Sequence, residues 1–112
     1  MSSRAWQQRI QDILTAINDI QNRVVHLTFE QFASDTTIAK AVLYDFIIIG
    51  EAANQIPDTI QGQYPNVPWR DMCDMRNIVA HEYFQVSLPL VWNVIQNELN
   101  FLVTELQQIL TE

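Results

Sequence analysis

The chain has 112 residues, 48% of them hydrophobic and 17% charged, with two glycines and four prolines. One compact domain spanning 1–112 is expected, and a disordered tail, a collagen-like repeat and a Gly-rich linker are excluded. Thirteen acids against six bases leave a formal charge of −7, which argues against a protein that coats DNA through a broad basic face. One cysteine, Cys73, permits no internal disulfide and no Cys-based zinc site, and two histidines, His26 and His81, leave a short inventory for catalysis.

Trp6, Ile10, Ile13, Leu14, Ile17, Ile20 and Val24 recur at steps of three and four and predict the apolar face of a first helix, with Ser2 or Ser3 as its N-cap. The start turns polar at Gln7-Gln8-Arg9, so no signal peptide is read there. Lys40 and Asp45 interrupt the most apolar stretch well short of a membrane span, and a cytoplasmic location with no membrane partner is expected. Ser34-Asp35 offers a cap for a second helix running from about Thr36 to Ile56 and stopped by Pro57. Ile38, Val42, Leu43, Phe46, Ile47, Ile48, Ile49, Ala52, Ala53 and Ile56 cover most of its circumference. A helix apolar nearly all round is buried on more than one side, and one of those sides is expected to face a second subunit.

Residues 57–68, with three prolines and a glycine, read as the main loop. Pro68-Trp69 opens a third helix continuing through Ala80, and Ser87 caps a last helix whose Trp92, Ile95, Leu99, Leu102, Leu106 and Ile109 suit bundle packing. The fold class predicted is all-α, an up-and-down bundle of four or five helices, homodimeric.

Between the third and last helices, Arg76-Asn77-Ile78-Val79-Ala80-His81-Glu82-Tyr83-Phe84 gathers an arginine, an amide, a histidine and a tyrosine. A histidine can move a proton near neutral pH, and an arginine presents a fork of donors that matches a phosphate. The two are the minimum kit for metal-free RNA cleavage, with a base for the ribose 2′-hydroxyl and a cation for the charge growing on phosphorus. On a continuous helix Arg76 and His81 stand about 140° apart. Either the helix unwinds near Ala80 or the site takes groups from two chains. The plain structural reading of the same string is a helix C-terminus, with Arg and His near the carbonyl end of the dipole and Tyr packed on the core.

This segment resembles the Arg-x4–6-His motif of HEPN-domain ribonucleases, with the tyrosine two residues after the histidine that marks the HepT toxin family. Ile49-Gly50-Glu51-Ala52-Ala53-Asn54 resembles the family's central helix, and Tyr64-Pro65-x-x-Pro68-Trp69 and Val91-Trp92 also fit. The resemblance covers most of residues 38–110. It implies an all-α homodimer whose two motifs face each other at a cleft, and metal-independent cleavage of RNA, tRNA or mRNA, with no cofactor. It also implies a cognate MntA-like nucleotidyltransferase antitoxin that neutralises the toxin by transferring AMP from ATP to the motif tyrosine. Carried onto this chain, Arg76 and His81 are the catalytic pair, Asn77 a supporting group and Tyr83 the AMP acceptor. The alternative is a non-catalytic helical partner or substrate-binding subunit of a nucleotidyltransferase.

The remaining candidates read more plainly. Glu51 either pairs with Arg76 or Arg70 and supports the site, or takes a surface position. His26 reads as a dipole partner or surface group, Cys73 as a packing residue, and Asp71 and Asp74 as an exposed acidic face rather than a metal site. Trp69 and Trp92 read as core or interface anchors. At −7, RNA contact must be confined to a local patch, expected around Arg70 and Arg76.

Overall fold

The structure, a computed structural model, describes residues 5–112. It holds seven α-helices: α1 (Trp6–Val24), α2 (Phe29–Ser34), α3 (Thr36–Asn54), α4 (Asp58–Gln63), α5 (Trp69–His81), α6 (Leu88–Asn97) and α7 (Leu99–Thr111). A single 3-10 turn, Tyr83–Gln85, follows α5, and no strand occurs among the described residues. The bundle class is as predicted. Five longer helices carry it, and the six-residue α2 and α4 are additions to the expected count.

The cap expected at Ser2 or Ser3 lies outside the described residues. Within them α1 starts after extended Ala5, whose N–H donates to the Gln8 side chain at 3.2 Å. Its predicted stripe holds: Ile10, Ile13, Ile17 and Ile20 are fully buried, each contributing about 1.5–3 kcal/mol relative to exposure. A reciprocal capping box, Thr28 with Gln31, starts α2. The Thr28 hydroxyl accepts from Gln31 N–H at 3.2 Å, and the Gln31 side chain accepts from Thr28 N–H at 2.9 Å. Asp35 caps α3 as expected, accepting from Ile38 N–H at 3.0 Å.

Two expectations are corrected. The segment after Pro57 is not all loop, because α4 forms there with Asp58 in its first turn, where a negative charge suits the dipole. Gln61 then donates to the Ala53 and Ile56 carbonyls, at 3.3 and 3.1 Å, adding partners at the C-terminal end of α3. The last helix is also interrupted: Glu98, at φ −123° and ψ −29°, separates α6 from α7. Ser87 still caps α6, accepting from Leu90 N–H at 3.3 Å.

α3 lies at the centre, packed by α1 on one flank and α5 on another, with α2 also against it and α7 against α1. Val42, Leu43, Phe46, Ile49, Ala52, Ala53 and Ile56 are buried inside the chain itself, and Ile38, Ile47 and Ile48 are partly buried. Most of the apolar surface of α3 is thus covered by α1 and α5 within the chain, and Ile38, Ile47 and Ile48 keep part of theirs exposed. Trp69 and Trp92 both anchor in the core, the second only partly buried. Trp69 is buried with its Nε1 donating to the Tyr64 carbonyl at 3.1 Å, and Trp92 packs on Phe29 and Phe32. The Tyr64 hydroxyl donates to Glu112 at 2.7 Å, tying the loop before α5 to the end of α7.

One carboxylate is buried in this core. Asp45, 4% exposed, accepts from Arg23 Nε at 3.3 Å across the α1–α3 contact. Burial pushes its carboxyl above the ordinary 3.8, the nearby Asp19 charge adds to this, and the Arg23 hydrogen bond and charge oppose it. The native state therefore takes up this proton at higher pH than the unfolded chain does. Asp45's contribution to stability falls as pH rises from 3.8 through the raised native value. Urea unfolding of wild type and Asp45→Asn from about pH 4 to neutrality should show the variant gaining relative to wild type as pH rises. A difference independent of pH would contradict this assignment.

Candidate active site on helix α5

The site is built on the crossing of α3 and α5. At Gly50 on α3 a methyl group would overlap the Arg76 Cβ and lie 2.8 Å from the Met72 carbonyl oxygen, so α5 passes where only hydrogen is tolerated. Cys73 sits at the same crossing, its thiol 3.8 Å from the Gly50 carbonyl. Burial, and then the Asp74 charge, push that thiol above its usual range, which keeps it protonated and fits its reading as a packing residue.

The close approach brings Arg76 to the residue after Gly50. Arg76 Nε and Nη2 both donate to Glu51 Oε1, at 3.0 and 2.6 Å, and Nη1 donates to Asn77 Oδ1 at 3.1 Å. The Glu51 alternatives resolve in favour of Arg76. Three of the five guanidinium donors are committed, leaving one on each terminal nitrogen for an incoming phosphate oxygen. Arg70 stands apart, 92% exposed and 4.0 Å from Asp74, so the patch expected around Arg70 and Arg76 is not a single cluster.

α5 stays helical through His81, and Glu82 N–H still donates to the Ile78 carbonyl at 2.8 Å. The unwinding near Ala80 does not occur. Arg76 and the exposed His81 stand on different faces, about 140° apart, and no hydrogen bond joins them among the described residues. The 3-10 turn then presents Tyr83 edge-on to Phe84, with ring centroids 5.5 Å apart. Phe84 is 98% exposed, and the Tyr83 hydroxyl makes no hydrogen bond among the described residues.

Two concavities border α5 and α3. A groove of about 560 Å³ between α5 and α6–α7 is lined by Met72, Met75, Ile78, Leu90, Phe101 and Leu102, and Arg76, His81 and Tyr83 stand outside it. Asp71 and Asp74 lie on its rim as exposed acids. Among the described residues no three His, Cys, Asp or Glu side chains converge as metal ligands. A smaller pocket of about 320 Å³ has Glu51 on its wall, together with Arg9 and Tyr44. Sequence reading missed those two. Arg9 borders the apolar stripe of α1 and Tyr44 interrupts that of α3, but only the packing of the two helices puts them together. His26 is exposed in the turn after α1.

The bundle and its motif helix are those of a HEPN-type helical domain, and no helix of the described residues is long and apolar enough to cross a membrane. Residues 13–109 match the family model described as "Ribonuclease HepT-like". A Methanocaldococcus jannaschii protein named "Putative RNase MJ0127" is 31% identical over 90% of this chain and 84% of its own length. A second from that organism, "Putative RNase MJ1380", is 33% identical over 88% and 90%. A Thermococcus cleftensis protein named "Probable ribonuclease HepT" is 32% identical over 86% of this chain and 87% of its own. No solved structure matches. The chain belongs to the HepT-like ribonuclease family, and its activity class is that of a ribonuclease.

The Gly50 crossing yields a direct prediction. Gly50→Ala forces α5 away from α3 and should cost about 1–3 kcal/mol, read as a lowered urea midpoint. An unchanged midpoint would mean that the crossing relaxes freely.

Proposed function

We propose that this chain is the toxin of a HepT/MntA-type toxin–antitoxin pair, a metal-independent endoribonuclease acting at the cleft of a homodimer. The observation that carries the reading is the Arg76 guanidinium, fixed by Glu51 and Asn77 with two donors to spare, five residues before an exposed His81 on the same helix. His81 takes the ribose 2′-hydroxyl proton, the 2′-oxygen attacks phosphorus, and the bond to the 5′-oxygen breaks as that oxygen regains a proton. A 2′,3′-cyclic phosphate and a 5′-hydroxyl result. Arg76 stabilises the charge on the non-bridging oxygens, and Glu51 and Asn77 hold it in place.

Because Arg76 and His81 diverge on one helix, a complete site draws on the motifs of two chains. Ile78, Leu90 and Phe101, exposed along the groove beside α5, supply apolar surface for such an assembly. Tyr83, exposed and with its hydroxyl uncommitted, is the acceptor of AMP from a nucleotidyltransferase antitoxin. The adduct places a phosphodiester charge and a bulky nucleoside beside the arginine that receives RNA phosphate.

The test uses unmodified protein and total RNA, whether tRNA or mRNA is the natural target. Cleavage should persist in excess EDTA and disappear in His81→Ala. No cleavage by wild type would overturn the reading in favour of a non-catalytic partner of a nucleotidyltransferase. After co-expression with a cognate nucleotidyltransferase, the intact mass should rise by AMP in wild type but not in Tyr83→Phe, which keeps its cleavage activity. Loss of cleavage in Tyr83→Phe as complete as in His81→Ala would make the tyrosine catalytic instead.

A further inference from the structure

The site on α5 is nearly neutral in itself, since Arg76 is engaged by Glu51. Among the other basic residues, Arg23 and Arg70 also have carboxylate neighbours, Asp45 and Asp74. Arg9 and Lys40 form no ion pair with a carboxylate among the described residues, and both border one surface. Arg9 lines the pocket that Glu51 closes, and its Nε is buried there without an acceptor. Tyr44, 64% exposed, shares that pocket, and Asp12, which is itself engaged, stands on the same wall. Lys40, Tyr44, Ile48 and Glu51 follow one another along α3 at steps of four, four and three, with Ile47 beside them. That row begins at the chain's single lysine and ends, about 16 Å away, at the carboxylate holding Arg76.

Resting on the ribonuclease reading, we propose that this α1–α3 face is the track for the RNA strand flanking the scissile phosphate. Arg9 and Lys40 take backbone phosphates, and a base stacks on Tyr44. The chemistry suits single-stranded RNA better than a protein partner. Cations in no ion pair on two adjacent helices, with an exposed aromatic ring on the same face, match a repeating phosphate backbone carrying flat bases. Among the described residues they are the cations that phosphate can meet without breaking a carboxylate ion pair, which matters in a chain at −7.

The test measures binding of a single-stranded oligoribonucleotide to the His81→Ala protein, which does not consume it, by fluorescence anisotropy across a salt series. Arg9→Ala and Lys40→Ala should each weaken binding and lower the slope of log affinity against log salt by about 0.7, the signature of one lost phosphate contact. Tyr44→Ala should weaken binding roughly tenfold with the slope unchanged, and Tyr44→Phe should restore it. Lys40 and Tyr44 are exposed, so their variants test the track even where Arg9→Ala disturbs folding. Unchanged affinity and slope in the Lys40 and Tyr44 variants, with cleavage by otherwise wild-type protein intact, would overturn the track and leave the ribonuclease standing. Variants that lose nucleotidyltransferase binding while holding RNA normally would assign the face to protein and also overturn it. Failure of wild type to bind or cleave RNA would overturn both readings.

Discussion

The structure of the site depends on a missing methyl group. Helices ordinarily pack 8–10 Å apart because side chains keep their backbones separate. Gly50 removes that separation at one point, and α5 enters until the Arg76 Cβ and the Met72 carbonyl occupy the space. The next residue, Glu51, then lies within hydrogen-bond reach of a guanidinium that a wider crossing would carry into solvent. Gly50 and Glu51 act as one device, the first making room and the second fixing what enters it.

The pairing that fixes Arg76 also governs how the chain meets a polyanion. An arginine already bound to a carboxylate attracts phosphate weakly at long range, because the two charges largely cancel beyond a few ångströms. What the pairing provides is orientation: two donors remain, held in place by contacts already formed. Long-range attraction must come from bases without such partners, which among the described residues lie on the α1–α3 face. On the proposed reading, orientation and attraction are divided between different residues, and a strongly acidic chain needs no broad basic surface to meet RNA.

Much of the fold was legible because it follows from local rules. The α1 stripe, the Asp35 and Ser87 caps and the Pro68-Trp69 start each depend on a few neighbouring residues, and each appears where expected. The Thr28–Gln31 capping box was equally readable but overlooked. The break at Glu98 was not readable, since Ile95, Leu99 and Leu102 keep their three- and four-residue steps across it. In the site, Arg76 and His81 stood out from their chemistry and spacing, whereas the choice of Glu51's partner required the α3–α5 crossing. Arg9 and Tyr44 belong to different helices and share a pocket only after these pack. Apolar residues around α3 revealed burial on several sides but not what did the burying, because hydrophobic contact carries no label for one's own chain or another's.

That indifference gives Asp45 a second significance. A helix apolar on most faces could fill its slot between α1 and α5 in several rotations of similar energy, as uniform apolar cores tend to do. A carboxylate cannot share that tolerance. Turned toward α5 it would lie in apolar surroundings without Arg23, at a cost of several kcal/mol. Only the observed rotation lets it reach the arginine, and the same rotation turns Gly50 toward α5 and Tyr44 toward solvent. A group whose ionised form burial disfavours thereby acts as the keyway of the core, setting the angle at which α3 presents one face to α5 and another to solvent.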